Sequence, residues 1–298
     1  MRIRIGSRGS LLALWQAHHV RDRLLALGHE VEVKIITTTG DRLQDRRLEA
    51  VGGKGAFLKE IEEALLADEV DLAVHSLKDV PTALPDGLGL VAVLERADPR
   101  DAWIAASGQG LDALGAGARV GTTSLRRRAQ LRARRPDLEV EDLRGNVDTR
   151  LRRLKEGAFD AILLAMAGLV RLGRAAEVTQ PLDAREFVPA PGQGVVTLEC
   201  RQDDGATRAA VQPLHHEETQ RAVSAERGFL AALGGGCNVP LGAHAAPEGA
   251  GLRLSAFVSD PEGRRFLRGE RSGSDAAALG RAVADDLLGQ GAAALLRG

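Results

Sequence analysis

Short apolar runs alternate with longer segments in which apolar positions recur every three or four residues, and this alternation persists through most of the chain. Residues 2–5 read as a strand, and Ser10 can cap a helix that runs to about Leu27 and stops at Gly28. Residues 30–38 alternate apolar and polar as a strand does. A helical pattern over 55–67 and strands at 71–74 and 88–94 complete a first series. A second series follows: a strand at 102–105, residues 119–121 leading into a helix near Ser124, a strand at 138–141, a helix near 147–155 and a strand at 159–164. Such repetition predicts βαβ units and largely parallel sheets covered on both faces. The register then changes. Residues 217–233 form one long helical pattern, 239–245, 252–259 and 265–271 read as antiparallel strands, and 274–288 close as a helix. That predicts a separate small α+β domain approached through 206–216. Residues 41–53, charged and ending in glycine, read as a mobile lid rather than an ordered element.

With 298 residues the chain has room for two or three domains. Its 44% hydrophobic and 27% charged residues are those of an ordinary globular protein. A net charge of −1 and few aromatic residues argue against a nucleic-acid partner, and the charge equally against a membrane-surface partner. The long uncharged stretch 228–247 is broken by Gly234-Gly235-Gly236, Asn238 and Pro240, so it cannot be a membrane helix. Two cysteines, Cys200 and Cys237, cannot build a disulfide framework, and no signal-peptide pattern precedes Ile3; a reducing cytoplasmic setting is expected. Cys200, inside a strand-like run, reads as a small buried hydrophobe. His18-His19 and His215-His216 lack metal-ligand spacing, so no metal is expected.

Neutral overall charge hides one dense arginine segment, from Arg126-Arg127-Arg128 through Arg132, Arg134, Arg135, Arg144 and Arg150 to Arg152-Arg153. It suggests a discrete acidic ligand, although a solvated helix face fits the same run. Three helix starts look ready for anions. Gly6 to Ser10 offers backbone N–H groups, two hydroxyls and Arg8; Gly121 to Arg127 offers Thr122, Thr123, Ser124, Arg126 and Arg127; Arg144-Gly145-Asn146 to Arg150 adds two more guanidinium groups. Free N–H groups and the positive helix end favour carboxylate or phosphate there, and arginine supplies bidentate pairing. Serine and threonine at helix starts also simply cap. Gly52-Gly53-Lys54-Gly55 lacks the spacing of a phosphate-binding loop, which turns the reading toward carboxylates.

Near the end of an apolar strand, His75-Ser76-Leu77-Lys78-Asp79-Val80-Pro81 sets a cation beside an anion. Open α/β sheets bind ligands outside strand C-termini, and such a pair can bind an anionic group while managing a proton or a developing positive charge. A solvated ion pair at a turn closed by Pro81 fits these residues equally. Cys237, directly after three glycines, suits an exposed thiol open to covalent chemistry, or an incidental small residue in a turn. Residues 188–195, rigid then flexible, suit an interdomain crossing that carries Gln193.

Taken in order, these segments, with Asp98-Pro99-Arg100-Asp101, Leu164 to Gly173, Pro191-Gly192-Gln193-Gly194 and Gly236-Cys237-Asn238-Val239-Pro240, closely resemble the porphobilinogen deaminase (hydroxymethylbilane synthase) family over nearly the whole chain. The resemblance implies an α/β fold: two lobes like those of a type II periplasmic binding protein plus a small C-terminal α+β domain. The implied domains are 1–94 with 190–212, 95–189, and 216–298. It further implies a dipyrromethane cofactor in thioether linkage to Cys237 and four porphobilinogen molecules condensed head to tail with loss of ammonia. In this family a basic cleft holds the carboxylates of the growing chain. Asp79 is then the catalytic residue. Lys78, Asp79, Ser76, Thr122, Ser124, Arg126, Arg127, Arg144, Gly145 and Gln193 contact the cofactor, while Arg8, Ser10, Lys54, Arg150 and Arg171 bind substrate. The resemblance also implies a monomer. Asn238 stands where glutamine is commoner in the family and Leu77 where methionine often sits.

Overall fold

A computed structural model describes residues 1–42, 58–234 and 239–296. Its elements are β1 (Arg2–Ser7), α1 (Leu11–Ala26), β2 (Glu30–Ile35), a single turn α2 (Thr39–Arg42), α3 (Lys59–Leu66), β3 (Leu72–Ser76), β4 (Leu88–Val93), β5 (Asp101–Ala105), β6 (Arg119–Gly121), α4 (Leu125–Arg134), β7 (Glu139–Glu141), α5 (Val147–Lys155), β8 (Ala161–Ala165), α6 (Met166–Arg171), β9 (Gln180–Pro181), β10 (Val196–Arg201), α7 (Gly205–Val211), α8 (Glu217–Ala232), β11 (Leu241–Glu248), β12 (Gly251–Ser259), β13 (Phe266–Gly273), α9 (Ala276–Gly289) and α10 (Ala292–Leu296). Most sequence expectations fall within a few residues of these bounds. The region expected to approach the last domain contains α7, and most of the expected lid at 41–53 lies outside the described residues.

Packing divides the chain into two units: Met1–Ala97 with Gly194–Gln220, and Asp98–Gln193 with Arg221–Gly298. The first unit is a lobe built on a five-stranded sheet in the order β2-β1-β3-β10-β4. Strand alternation sorts its side chains onto two faces. Leu72 and Val74 of β3 join Val196, Leu198 and Cys200 of β10 against Ala17, Val20 and Leu24 of α1, with Val211 of α7. Ala73 turns the other way, toward Ile61, Ala64 and Leu65 of α3. The apolar stripe of α3 is what covers that face.

The second unit holds another five-stranded sheet, β7-β6-β8-β5-β9, and a three-stranded antiparallel sheet, β11-β12-β13. In the larger sheet Trp103 and Leu163 pack toward Leu131 of α4, while Ile104, Ile162 and Leu164 pack toward Leu151 and Leu154 of α5. The C-terminal sheet packs on α8 and α9 around Phe229, Leu254 and Val283. These two helices cross closely at Gly280, where a Cβ would collide with the Ala225 carbonyl. Gly263, at φ +70°, brings the β12–β13 turn onto α4: a Cβ there would lie 3.0 Å from the Ala133 nitrogen. Arg132 of α4 pairs with Glu262 of that turn.

The lobes are mixed sheets rather than largely parallel ones. In the first, β1 runs parallel to β2 and β3, whereas β10 is antiparallel to β3 and β4. In the second, β6 runs parallel to β7 and β8, whereas β5 is antiparallel to β8 and β9. The reason is connectivity. β5 and β10 are the first strands after the chain passes from one unit into the other, and each lies between the last of the parallel strands and the outermost strand of its sheet. Periodicity reports that a strand exists, not which way it runs.

Candidate active site

In the first lobe the C-terminal ends of β1 and β3 carry the expected polar residues. After β1, half-buried Arg8 precedes Ser10, whose hydroxyl accepts the Ala13 N–H at 3.4 Å and caps α1. After β3, one 3₁₀ turn, Leu77–Asp79, puts half-buried Lys78 and Asp79 at the sheet edge. Leu77, 1% exposed, anchors that turn, and its N–H donates to the Val195 carbonyl at 3.0 Å. Ser76 Oγ accepts from Gln16 Nε2 at 2.8 Å, which ties α1 to the end of β3.

In the second lobe β6 ends at Gly121, where a Cβ would lie 2.8 Å from Leu143 Cδ2. Thr122 is buried; its N–H donates to the Glu141 carbonyl and its hydroxyl accepts the Ser124 N–H at 3.2 Å. Ser124 caps α4 by accepting the Arg127 N–H. The first turn of α4 therefore aims Arg126 and Arg127 toward the start of β5. Both guanidinium groups are nearly buried, at 7% and 6% exposure, against fully buried Asp101. Arg126 donates to Asp101 at 2.6 and 3.1 Å, and Arg127 at 3.0 and 2.7 Å. Burial alone would push the Asp101 carboxyl up; the two guanidinium charges and their hydrogen bonds prevail and hold it far below the ordinary carboxylate range. Gln193, also buried, donates to Asp101 at 3.1 Å and to the Pro99 carbonyl at 2.7 Å.

The loop after β7 carries Arg144, 3.8 Å from Asp142. Gly145 sits at φ +104°, where a Cβ would lie 2.8 Å from Thr149 Cβ. Asn146 caps α5 by accepting the Thr149 N–H at 2.9 Å, and Arg150 Nε donates to the Gly145 carbonyl at 2.8 Å. After β8, α6 ends on Arg171, whose desolvation lowers its pKa to about 10. The described candidates thus lie at or beyond the C-terminal end of a parallel strand or, for Gln193, on the crossing segment. Lys54 and Cys237 lie outside the described residues.

The arginine-dense segment splits in two. Arg128 pairs with Asp142, Arg134 with Asp112 and Glu186, and Arg135 with Asp137, as ordinary surface ion pairs. Arg126 and Arg127 alone of α4 turn inward onto Asp101. Sequence reasoning missed Asp101 as a site residue, along with Gln16 and the buried pair His75–Glu199, whose Nε2 and Oε2 lie 2.9 Å apart. A signal existed for Glu199: one acid between Leu198 and Cys200 in a largely apolar run. Cys200 is fully buried, and burial pushes its thiol up to about 11, as suits an inert packing residue.

Two mixed α/β lobes, with cationic helix starts at their strand ends, and a small C-terminal α+β domain define the class. A family model described as "Porphobilinogen deaminase, dipyromethane cofactor binding domain" matches residues 3–209, and "Porphobilinogen deaminase, C-terminal domain" matches 220–289. The chain is 51% identical over 298 residues to a porphobilinogen deaminase of Syntrophobacter fumaroxidans, covering 99% of this chain and 96% of that one. It is 53% identical over 296 residues to one of Acidithiobacillus ferrooxidans, covering 99% and 97%. A solved periplasmic substrate-binding protein of an ABC transporter from Coxiella burnetii aligns with a TM-score of 0.45 at 13% identity, over 76% of this chain and 96% of that one. The chain belongs to the porphobilinogen deaminase family, and with it to the transferases of porphyrin biosynthesis that use a dipyrromethane cofactor. Among the described residues no helix is long and apolar enough to cross a membrane, and no group of three or more His, Cys, Asp and Glu could hold a metal ion.

Proposed function

We propose that this chain makes hydroxymethylbilane with Asp79 as its catalytic residue, Cys237 as the covalent tether of the dipyrromethane, and the cations at its strand ends as carboxylate binders. The reaction of the family joins four porphobilinogen molecules head to tail and releases ammonia at each step. Every pyrrole carries an acetate and a propionate, so carboxylates accumulate as the product grows. The observation that carries the reading is the charge at α4: one fully buried carboxylate against two nearly buried guanidinium groups, a surplus of one positive charge. Isolated buried charge is costly, and a ligand carboxylate offsets it.

When bound, the dipyrromethane supplies the pyrrole carbon to which the first unit is joined. Arg126, Arg127, Arg144, Arg150 and Arg171 bind acetate and propionate groups in the second lobe, and Arg8, Lys54 and Lys78 do so in the first. Ser10, Ser76, Thr122 and Ser124 add hydroxyl donors, and the backbone N–H of Gly145, with no side chain in the way, lets a carboxylate approach closely. Gln193 holds the crossing segment beside Asp101. Asp79 accepts the pyrrole N–H of the reacting unit, stabilises the positive charge that develops as ammonia leaves, and relays the proton. On this reading the enzyme works as a monomer in the cytoplasm.

Intact mass and Ehrlich's reagent test the tether. Protein from a host that makes porphobilinogen is expected to carry one dipyrrole on Cys237 and to colour; a bare-chain mass would refute it. Asp79→Asn should keep that adduct yet lose turnover by about 10²-fold or more, and near-normal ammonia release would remove Asp79 from its role.

A further inference from the structure

We propose that Asp101 is the positioning residue of the Arg126–Arg127 pair: it occupies one fork of each guanidinium so that the other fork is held ready for a ligand carboxylate. This rests on the carboxylate-binding reading above and adds to it a residue that does not itself touch the ligand.

Donor counting carries the inference. A guanidinium has five N–H groups in fixed directions. Arg126 meets Asp101 end-on, with Nη1 on Oδ2 at 2.6 Å and Nη2 on Oδ1 at 3.1 Å, and Nη1 also donates to the Val188 carbonyl at 2.7 Å. Among the described residues this leaves Nε–H and one Nη2 proton, which together form the side-on fork. Arg127 meets the same carboxylate with its side-on edge, Nε at 3.0 Å and Nη2 at 2.7 Å both converging on Oδ1, while Nη1 donates to the Leu163 carbonyl at 2.9 Å. Among the described residues it keeps one proton on each terminal nitrogen. Among the described residues the two arginines thus keep donors on different edges, Nε and Nη2 of Arg126 and the terminal nitrogens of Arg127.

Asp101 is suited to hold them still. Its Oδ1 is crowded by Arg126 Nη2, Arg127 Nε and Nη2, and Gln193 Nε2 at 3.1 Å, while Oδ2 takes Arg126 Nη1. It sits at the first position of β5, opposite Ala165 at the end of β8, on rigid sheet rather than loop. Carbonyls of Val188 and Leu163 fix the rotation of the guanidinium planes. A carboxylate displaced there by one methylene keeps the charge and loses the aim.

The test separates aim from charge. Asp101→Glu preserves the negative charge, so the full-length holoenzyme is expected to fold; its KM for porphobilinogen should still rise at least tenfold. Asp101→Asn should raise KM further and lower the fraction of chains carrying the dipyrrole. Wild-type KM in Asp101→Glu, or in Asp101→Asn, would overturn the proposal, as would variants that lose stability with KM unchanged. Should neither variant fold, exchange of the Arg127 Nε proton in the wild-type protein decides. It should be at least tenfold slower than that of exposed Arg152, and equal rates would overturn the proposal. Wild-type protein that bears no dipyrrole and turns over no porphobilinogen would refute the underlying reading, while the Nε exchange would still report on Asp101.

Discussion

In the first lobe the antiparallel strand β10 buries Glu199; in the second, the antiparallel strand β5 buries Asp101, and neither side chain is exposed at all. The two strands hold the same place in sheets of the same order. Their acids nevertheless sit at different depths. Glu199 lies opposite Ala73, well inside the sheet, whereas Val196 of the same strand meets Ser76 at the edge. Asp101 is itself the edge residue, opposite Ala165. Glu199 faces α3, with His75 on one oxygen and no hydrogen-bond partner for the other among the described residues. Asp101 faces α4, and both of its oxygens are bonded, by two arginines and a glutamine. A buried acid deep in the sheet serves only its neighbours; one at the strand ends can array cations for a ligand.

The sharpest way to break this comparison is to remove a cation. Arg127→Leu should cost about 3–5 kcal/mol in urea unfolding, because it strips Asp101 of paired charge in a dry site. It should also abolish retention of the dipyrrole by intact mass. A loss no greater than that of an exposed arginine such as Arg152→Leu would erase the contrast between the inward and outward arginines.

Glu199→Gln is the matching change in the first lobe. It keeps shape, removes an incompletely paired charge, and leaves an acceptor for His75, so unfolding should shift by only about 1 kcal/mol. Turnover should stay within about twofold. A large fall in kcat would show that the deep acid reaches the chemistry after all.

Acid titration gives the smallest and most graded test. Asp71 and Asp101 both have native pKa values below those of the unfolded chain, held down by Arg4 in one lobe and by Arg126 and Arg127 in the other, against desolvation that would raise them. Such groups stabilise the fold above about pH 4 and lose that contribution as pH falls through their native values. Glu62 has the opposite sign. Burial and then the nearby Glu199 charge raise its native pKa, so its protonation on acidification favours the first lobe slightly. Amide exchange should find β5 protected well below pH 4, since Asp101 is the most strongly depressed. If β5 lost protection at a higher pH than β3, the ion pairs around Asp101 would not be the anchor described.

Much of the site was legible in the chain. Turn residues, caps and apolar spacing located Ser10, Ser124 and Asn146 at helix starts, and the alternation located β3 beneath Lys78 and Asp79. Those are local properties, set by the few residues around each position. The inward turn of Arg126 and Arg127 was not legible, because in sequence they are indistinguishable from Arg128, Arg134 and Arg135, which stay at the surface. Their fate depends on a carboxylate 25 and 26 residues away.

Residue order alone therefore settled that this chain has strands with helix starts at their ends, and motifs close enough to a family to give its chemistry. Folding in three dimensions chose the direction of β5 and β10, the depth at which each acid is buried, and which cations lose their water. Strand direction, depth and desolvation arise from contacts between distant segments, and no local pattern encodes them.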